Sequence, residues 1–160
     1  MNKNSSKNIA TEVINLEIDA LKVLKKSINK NFDKAVNTIV NCQSKIILCG
    51  VGKSGLIAAK IASTLSSVGS PAFSLSANDC LHGDLGSITR KDILILISNS
   101  GKSEEIIPII KFANRNKVKL IGIVSKKNSF LYKGSDIKIL LPEVKESGLG
   151  VVPTSSTSIQ

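Results

Sequence analysis

A glycine-rich segment of this 160-residue chain has the residue types that bind anions. It reads Gly50-Val51-Gly52-Lys53-Ser54-Gly55 and formally matches the dinucleotide fingerprint GxGxxG. That fingerprint needs an acidic residue about 20 positions further on. The first acid after Gly55 is Asp79, which comes too late, so the segment does not indicate a nicotinamide cofactor. A triphosphate-binding P-loop needs glycine where Ile47 stands. The segment still offers backbone amides at a helix start and one lysine, and these features predict an anion site. The alternative is a plain turn from strand to helix. Its residues are Gly50, Gly52, Lys53, Ser54 and Gly55.

A second polar segment suits a phosphate or a sugar. It reads Ser98-Asn99-Ser100-Gly101-Lys102-Ser103-Glu104-Glu105, follows an apolar run and precedes a predicted helix. Ordinary capping of that helix by Ser103 is compatible with ligand binding by the same loop. The loop offers three candidate ligands for an anionic group, namely Ser98, Asn99 and Ser100.

The only histidine, His82, lies in a third segment beside Asp84. A lone histidine is more often structural than catalytic, but its place between two anion-type loops favours an acid–base role. No second histidine and no cysteine cluster complete a ligand set, so we expect no metal.

Composition excludes several functional classes. The net charge is +10, yet only Arg90 and Arg115 are arginines, aromatic residues make up 3% and tryptophan is absent. Lysines spread along the chain, without arginines or stacking aromatics, do not indicate a nucleic-acid partner. No apolar run approaches the roughly 20 residues of a membrane span. The three unpaired cysteines indicate buried thiols of a cytoplasmic protein.

Helices and strands alternate along most of the chain. Helical spacing predicts helices over 7–28 and from Asn31, the latter with Phe32, Val36, Ile39 and Val40 on one face. Short apolar runs predict strands over 45–49, 72–75, 92–97, 119–124 and 136–141, and helices over 54–68 and 103–116 connect them. This alternation predicts an α/β three-layer sandwich with a five-stranded parallel sheet. We expect N-terminal helices over 1–43 to pack on one domain spanning 44–160.

Four motifs in this order, CGVGKSG, HGDLG, SNSGxSxE and PTSST, resemble the sugar isomerase (SIS) domain, specifically the arabinose-5-phosphate isomerase family. The resemblance implies flavodoxin-like strand order and interconversion of D-arabinose 5-phosphate and D-ribulose 5-phosphate through an enediol. It implies no cofactor, a homo-oligomer, a sugar phosphate as the small-molecule partner, and a product used in lipopolysaccharide synthesis. The family's active-site residues fall on Lys53, His82, Glu105 and Glu146. Its phosphate ligands fall on Ser54, Ser98, Ser100, Thr154, Ser155 and Ser156.

The sequence also departs from the family pattern. Members continue past PTSST to a second histidine near an HPGG motif and to tandem CBS modules, so we expect a SIS domain shortened after PTSST. Lys102 stands where an acidic residue is usual. One alternative is a catalytically impaired, sugar-phosphate-binding remnant of a SIS enzyme. Another is a regulatory SIS module joined to a DNA-binding domain, for which the first 44 residues lack an arginine-rich helix surface.

Overall fold

The computed structural model describes residues 5–147 and 152–160, and a parallel five-stranded sheet forms its centre. The strands are β1 (Ile46–Gly50), β2 (Ala72–Ser76), β3 (Ile93–Ile97), β4 (Lys119–Val124) and β5 (Ile137–Leu140). Their order in the sheet is β2-β1-β3-β4-β5. The predicted α/β fold with a five-stranded parallel sheet is confirmed.

Helices cover both faces of this sheet. They are α1 (Ser6–Ser27), α2 (Lys30–Val40), α3 (Lys53–Ser67), α4 (Ala77–Leu81), α5 (Ile106–Asn116), α6 (Phe130–Gly134) and α7 (Ser155–Ser158), with a 3₁₀ turn at Asp84–Ser87. No helix among the residues described above has both the length and the apolar composition needed to cross a membrane.

The core lies on both faces because successive side chains of a strand point in opposite directions. One face packs against α5 and α6, and the other packs against α2 and α3. The central strands β1 and β3 are buried at every position, as expected for parallel strands covered on both sides. The edge strand β2 has three exposed residues and two partly buried ones.

The register of the strands brings their carboxyl ends to one edge of the sheet. Gly50 of β1 pairs with Ser76 of β2 and with Ile97 of β3, and Ile97 pairs with Ile123 of β4. The chain leaves β1 toward β2 and later returns to β3 on the other side of β1. In open α/β sheets, ligands bind where the strand order reverses in this way, which here is between β1 and β3.

Three local predictions differ from the structure. Asn29, not Asn31, caps α2, and its side chain accepts a hydrogen bond from the backbone N–H of Asn31. Phe32, Val36 and Val40 are exposed, because α2 instead packs Ala35 and Ile39 on the sheet.

The third difference concerns α5, which begins at Ile106 rather than at Ser103. Ser103 instead accepts, through its carbonyl, a hydrogen bond from the Ile106 N–H in a turn that leads into the helix.

Helix α1 turns one stripe toward the domain. Ala20 is buried against Leu141 and Ile159, and Leu24 packs beside them. Glu17 lies one turn before Ala20 on this inward stripe and is half-buried, although it is an acidic residue. Helices α1 and α2 thus rest on the end of the domain formed by β5 and α7.

Candidate functional site

The loop after β1 is shaped by its glycines. A Cβ on Gly50 would lie 2.7 Å from the backbone carbonyl carbon of Ser54, and a Cβ on Gly55 would lie 2.8 Å from the Gly50 carbonyl oxygen. Gly52 has φ of 58° and open space around its Cα. Two glycines therefore allow strand and helix to approach closely, and the third allows a backbone conformation that L-residues rarely adopt.

Lys53 is the first residue of α3 and its side chain is exposed. Gly52 caps α3 without a side chain, so the first amides of the helix have no capping oxygen from their own N-cap residue. A cationic side chain thus sits beside a helix N-terminus at the ligand-binding edge of the sheet. Both features attract an anion.

The loop after β3 holds its hydroxyl groups by hydrogen bonds to its own backbone. The Ser98 hydroxyl accepts from the Gly101 N–H at 3.0 Å, and the Ser100 hydroxyl accepts from the Lys102 N–H at 3.3 Å. Ser125, after β4, donates its hydroxyl to Asn99 Oδ1 at 2.6 Å. A hydroxyl group that accepts a hydrogen bond keeps its own hydrogen for donation, so Ser98 and Ser100 retain the capacity to bind a phosphate oxygen.

A cleft of about 600 Å³ opens between this loop and the segments after β4 and β5. Three exposed lysines, Lys102, Lys126 and Lys127, line it, and its carboxylate is Glu143, which pairs with Lys126. The cleft beside the Ser98–Ser100 loop thus carries more positive than negative charge.

Glu146 forms the centre of a hydrogen-bond network with the hydroxyl-rich run before and within α7. Its Oε2 accepts from the Thr154 N–H at 2.7 Å, the Thr154 hydroxyl at 2.9 Å and the Ser156 N–H at 3.2 Å. Burial raises the pKa of this carboxyl, but the hydrogen bonds from Ser156 and Thr154 outweigh burial and hold the pKa below its ordinary value. The Glu146 side chain is therefore ionised at neutral pH.

The hydroxyl run predicted to bind phosphate is largely engaged within the protein. Ser155 is fully buried and donates to Glu17 Oε1 at 2.8 Å. Ser54, on α3, donates to Gln160 Oε1 at 2.9 Å. Of this run, Thr154 and Ser156 contact Glu146, so the structure brings them together with a predicted catalytic residue.

Two other predicted catalytic residues stand apart from that network. Glu105 is the half-buried N-cap residue of α5, and His82 is exposed at the end of α4, beyond the edge strand β2. Neither side chain takes part in the hydrogen bonds to Glu146 among the described residues. Their catalytic roles, like those of Lys53 and Glu146, stay predictions.

Sequence reasoning missed Glu17, Ser125 and the lysines Lys126 and Lys127. Ser125 follows β4 directly, so its place at the carboxyl edge was available from the strand pattern. The sequence around Glu17 does not indicate its role, since its hydrogen-bond partners lie more than 100 positions away.

The described residues contain no group of three or more histidine, cysteine, aspartate or glutamate side chains placed to hold a metal ion. Cys42, Cys49 and Cys80 are free thiols, and the latter two are buried.

Comparison with known proteins decides the family. A model of the SIS domain matches residues 39–160, which is more than half of the chain. The chain belongs to the SIS domain family. An uncharacterised protein of Rickettsia prowazekii is 40% identical over 99% of this chain and 50% of its own length. Arabinose 5-phosphate isomerase KdsD of Yersinia pestis is 40% identical over 92% of this chain and 45% of its own length.

This SIS chain therefore spans about half the length of the curated relatives it matches. Among solved structures, it resembles the Escherichia coli CFT073 protein c3406 in complex with arabinose 5-phosphate, with a TM-score of 0.93 and 31% identity. That similarity covers 99% of this chain and 85% of the other. The SIS fold and membership of the SIS domain family are thus established for the chain.

Proposed function

We propose that the chain is an aldose–ketose isomerase that interconverts D-arabinose 5-phosphate and D-ribulose 5-phosphate. The observation that carries the proposal is its likeness to the c3406 structure in complex with arabinose 5-phosphate, over nearly the whole chain. The 40% identity to a KdsD enzyme supports the same substrate. By that likeness, we further propose that the product serves lipopolysaccharide synthesis.

The anion-binding features of the site suit the phosphate of such a substrate. The α3 N-terminus with Lys53 and the Ser98–Ser100 loop lie after adjacent strands at the same edge of the sheet. Adjacent strands are about 4.8 Å apart, so we propose that donors from both loops bind one phosphate. The nearby lysines of the cleft raise the local concentration of an anionic sugar.

The reaction moves a proton between two neighbouring carbons. A base takes the proton from C2 of the aldose while an acid gives one to O1, which forms the enediol. A proton then enters at C1 while O2 loses its proton, and the ketose results. We assign Glu146 as the base because the hydrogen bonds from Thr154 and Ser156 keep its carboxylate ionised and fix its orientation. We propose that Glu105 and His82 assist these transfers and that Lys53 stabilises the developing oxyanion.

The test is an isomerase assay on the purified chain with D-arabinose 5-phosphate. We expect turnover, and a fall of about a hundredfold or more in kcat for Glu146→Gln and for Lys53→Ala. Glu12→Gln, on the exposed face of α1, is the matched control and should keep full activity. A folded chain that binds the sugar phosphate without turnover would instead be the catalytically impaired remnant. A chain that neither binds nor turns over the sugar would contradict the proposal.

We also propose that the chain forms a homo-oligomer. Ile14, Ile18 and Leu21 of α1 are each at least 42% exposed and lie at helical spacing on one face. A second copy of the chain would cover this apolar stripe. Sedimentation velocity tests it: Ile18→Lys should shift the chain toward monomer, whereas Leu56→Lys, at an exposed apolar residue of α3, should not. A monomer in every variant and in the original chain would refute this proposal.

A further inference from the structure

The N-terminal helix α1 contributes a carboxylate to the Glu146 region. Oε1 of Glu17 accepts a hydrogen bond from the Ser155 hydroxyl at 2.8 Å and one from the Ser147 hydroxyl at 3.4 Å. Ser147 directly follows Glu146, and Ser155 lies between the two residues that bind Glu146. Glu17 therefore contacts both the segment that carries Glu146 and the segment whose residues donate hydrogen bonds to Glu146.

These hydrogen bonds form one connected network. The Ser147 N–H donates to the Thr154 hydroxyl oxygen at 2.8 Å, and that hydroxyl donates to Glu146 Oε2 at 2.9 Å. A displacement of Ser155 or Ser147 would therefore alter the donors of Glu146. Glu17 reaches this network from a helix 130 positions earlier in the sequence.

Packing alone does not explain a glutamate at position 17. Its Oε2 is buried and has no hydrogen-bond partner among the described residues. A buried polar oxygen without a donor costs free energy that an apolar side chain on the same stripe would not. The glutamate at position 17 thus costs folding free energy through its Oε2. Its Oε1 connects it to the candidate active site.

We propose that Glu17 is a positioning residue, which fixes Ser147 and Ser155 and thereby holds the Glu146 carboxylate in its working orientation. This inference rests on the proposed role of Glu146 in isomerisation. Glu17 itself does not touch the reacting atoms in this assignment. It acts through the hydroxyl groups that it orients, as residues behind an active site commonly do.

The test measures the titration of Glu146 by carbon NMR of the labelled carboxyl, assigned with Glu146→Gln. If Glu17→Gln weakens the hydrogen bonds that Thr154 and Ser156 donate to Glu146, the pKa of Glu146 should rise. Loss of a neighbouring negative charge alone would lower it, so the two explanations give opposite signs. Among the described residues, the charged groups that line the neighbouring pocket between α1 and the segment after β5 are Asp19, Glu143 and Lys145. Helix α7 carries none.

Two matched variants complete the design. Ser155→Ala removes the linking hydroxyl without removing a charge and should also raise the pKa of Glu146. Asp19→Asn removes an exposed acid from the same helix and should not raise it. A Glu146 pKa that is unchanged or lowered in both Glu17→Gln and Ser155→Ala would overturn the proposal, provided circular dichroism shows folded protein.

Activity gives a second readout. We expect kcat/KM of Glu17→Gln to fall about tenfold to a hundredfold. The acid limb of its pH profile should also move to higher pH, which a smaller fraction of folded enzyme would not cause. An unshifted limb would count against the positioning role. If the original chain shows no turnover, the proposed function fails while the NMR result still decides the role of Glu17.

Discussion

Asp92, just before β3, is a buried carboxylate held by four donors. It accepts hydrogen bonds from the Ser44 hydroxyl at 2.6 Å, the Thr89 N–H at 2.7 Å and the Thr89 hydroxyl at 3.0 Å. The Lys45 ammonium lies 3.1 Å away. Burial raises its pKa, but these donors outweigh burial and lower the pKa to about 2. The ion pair ties the start of β1 to the start of β3 at the end of the sheet opposite the site.

Because its folded pKa lies below the ordinary 3.8, Asp92 stabilises the fold above about pH 4, and this contribution disappears as pH falls toward about 2. We expect Asp92→Asn to lower the free energy of unfolding by about 2 kcal/mol at neutral pH. The difference from the original chain should shrink between about pH 4 and 2. Urea unfolding at several pH values measures it. Asp19→Asn, whose side chain is 67% exposed, is the control and should cost little; a pH-independent difference would contradict the explanation.

At the residue scale, sequence motifs identify side chains but not their partners. The motif SNSG placed Ser98 and Ser100 after a buried strand, which the structure bears out as their location. The contact between Glu17 and Ser155 was not predictable, because it depends on how α1 crosses the end of the sheet. The sequence of α1 alone predicts that an acidic residue such as Glu17 is exposed to solvent.

At the element scale, the start of α3 is built from glycines that serve different purposes. At Gly50 a side chain would meet the backbone of Ser54, whereas at Gly52 the space is open and only the backbone conformation is restrictive. Glycine is therefore required at position 50 for close packing and at position 52 for the backbone conformation.

We expect Gly50→Ala to destabilise the chain by about 3 kcal/mol or more, because backbone atoms cannot move aside as a side chain can. Gly52→Ala should cost about 1–3 kcal/mol, because φ of 58° with ψ of −125° is a combination that L-residues rarely adopt. Urea unfolding compares them. Gly86→Ala, where φ is not positive and nothing lies close to the Cα, serves as the control. Equal losses at Gly50 and Gly52 would refute this distinction.

Strand and helix identities were predictable because the apolar runs and helical spacing are long enough to be distinctive. The bounds of β4, Lys119–Val124, agree with the prediction, and the other strands differ by a residue or so at their ends. The short helices α4 and α6 were not predicted, since five residues carry too little periodicity. The exposed face of α2 was misjudged because small Ala35, rather than the larger Phe32 and Val36, fits against the sheet.

At the scale of the whole molecule, the parallel topology of the sheet determines where several of the positive charges lie. Parallel strands direct every following loop to one edge, and lysines from the loops after β3 and β4 collect there. The net charge of +10 adds a long-range attraction for anions. Strand order and edge were predictable from the sequence pattern and the family resemblance, but the convergence of Lys102, Lys126 and Lys127 on one cleft required the structure.

This convergence predicts how the proposed isomerase responds to salt. We expect kcat/KM for D-arabinose 5-phosphate to fall several-fold between about 50 and 500 mM salt, because screening weakens attraction of the anionic sugar. Replacing Lys102 and Lys127 by alanine should lower kcat/KM at low salt and reduce the salt dependence. Alanine at Lys25 and Lys26, exposed on α1, changes the net charge equally and should leave most of the dependence in place. If both pairs act alike, the net charge of the molecule rather than the cleft guides the substrate.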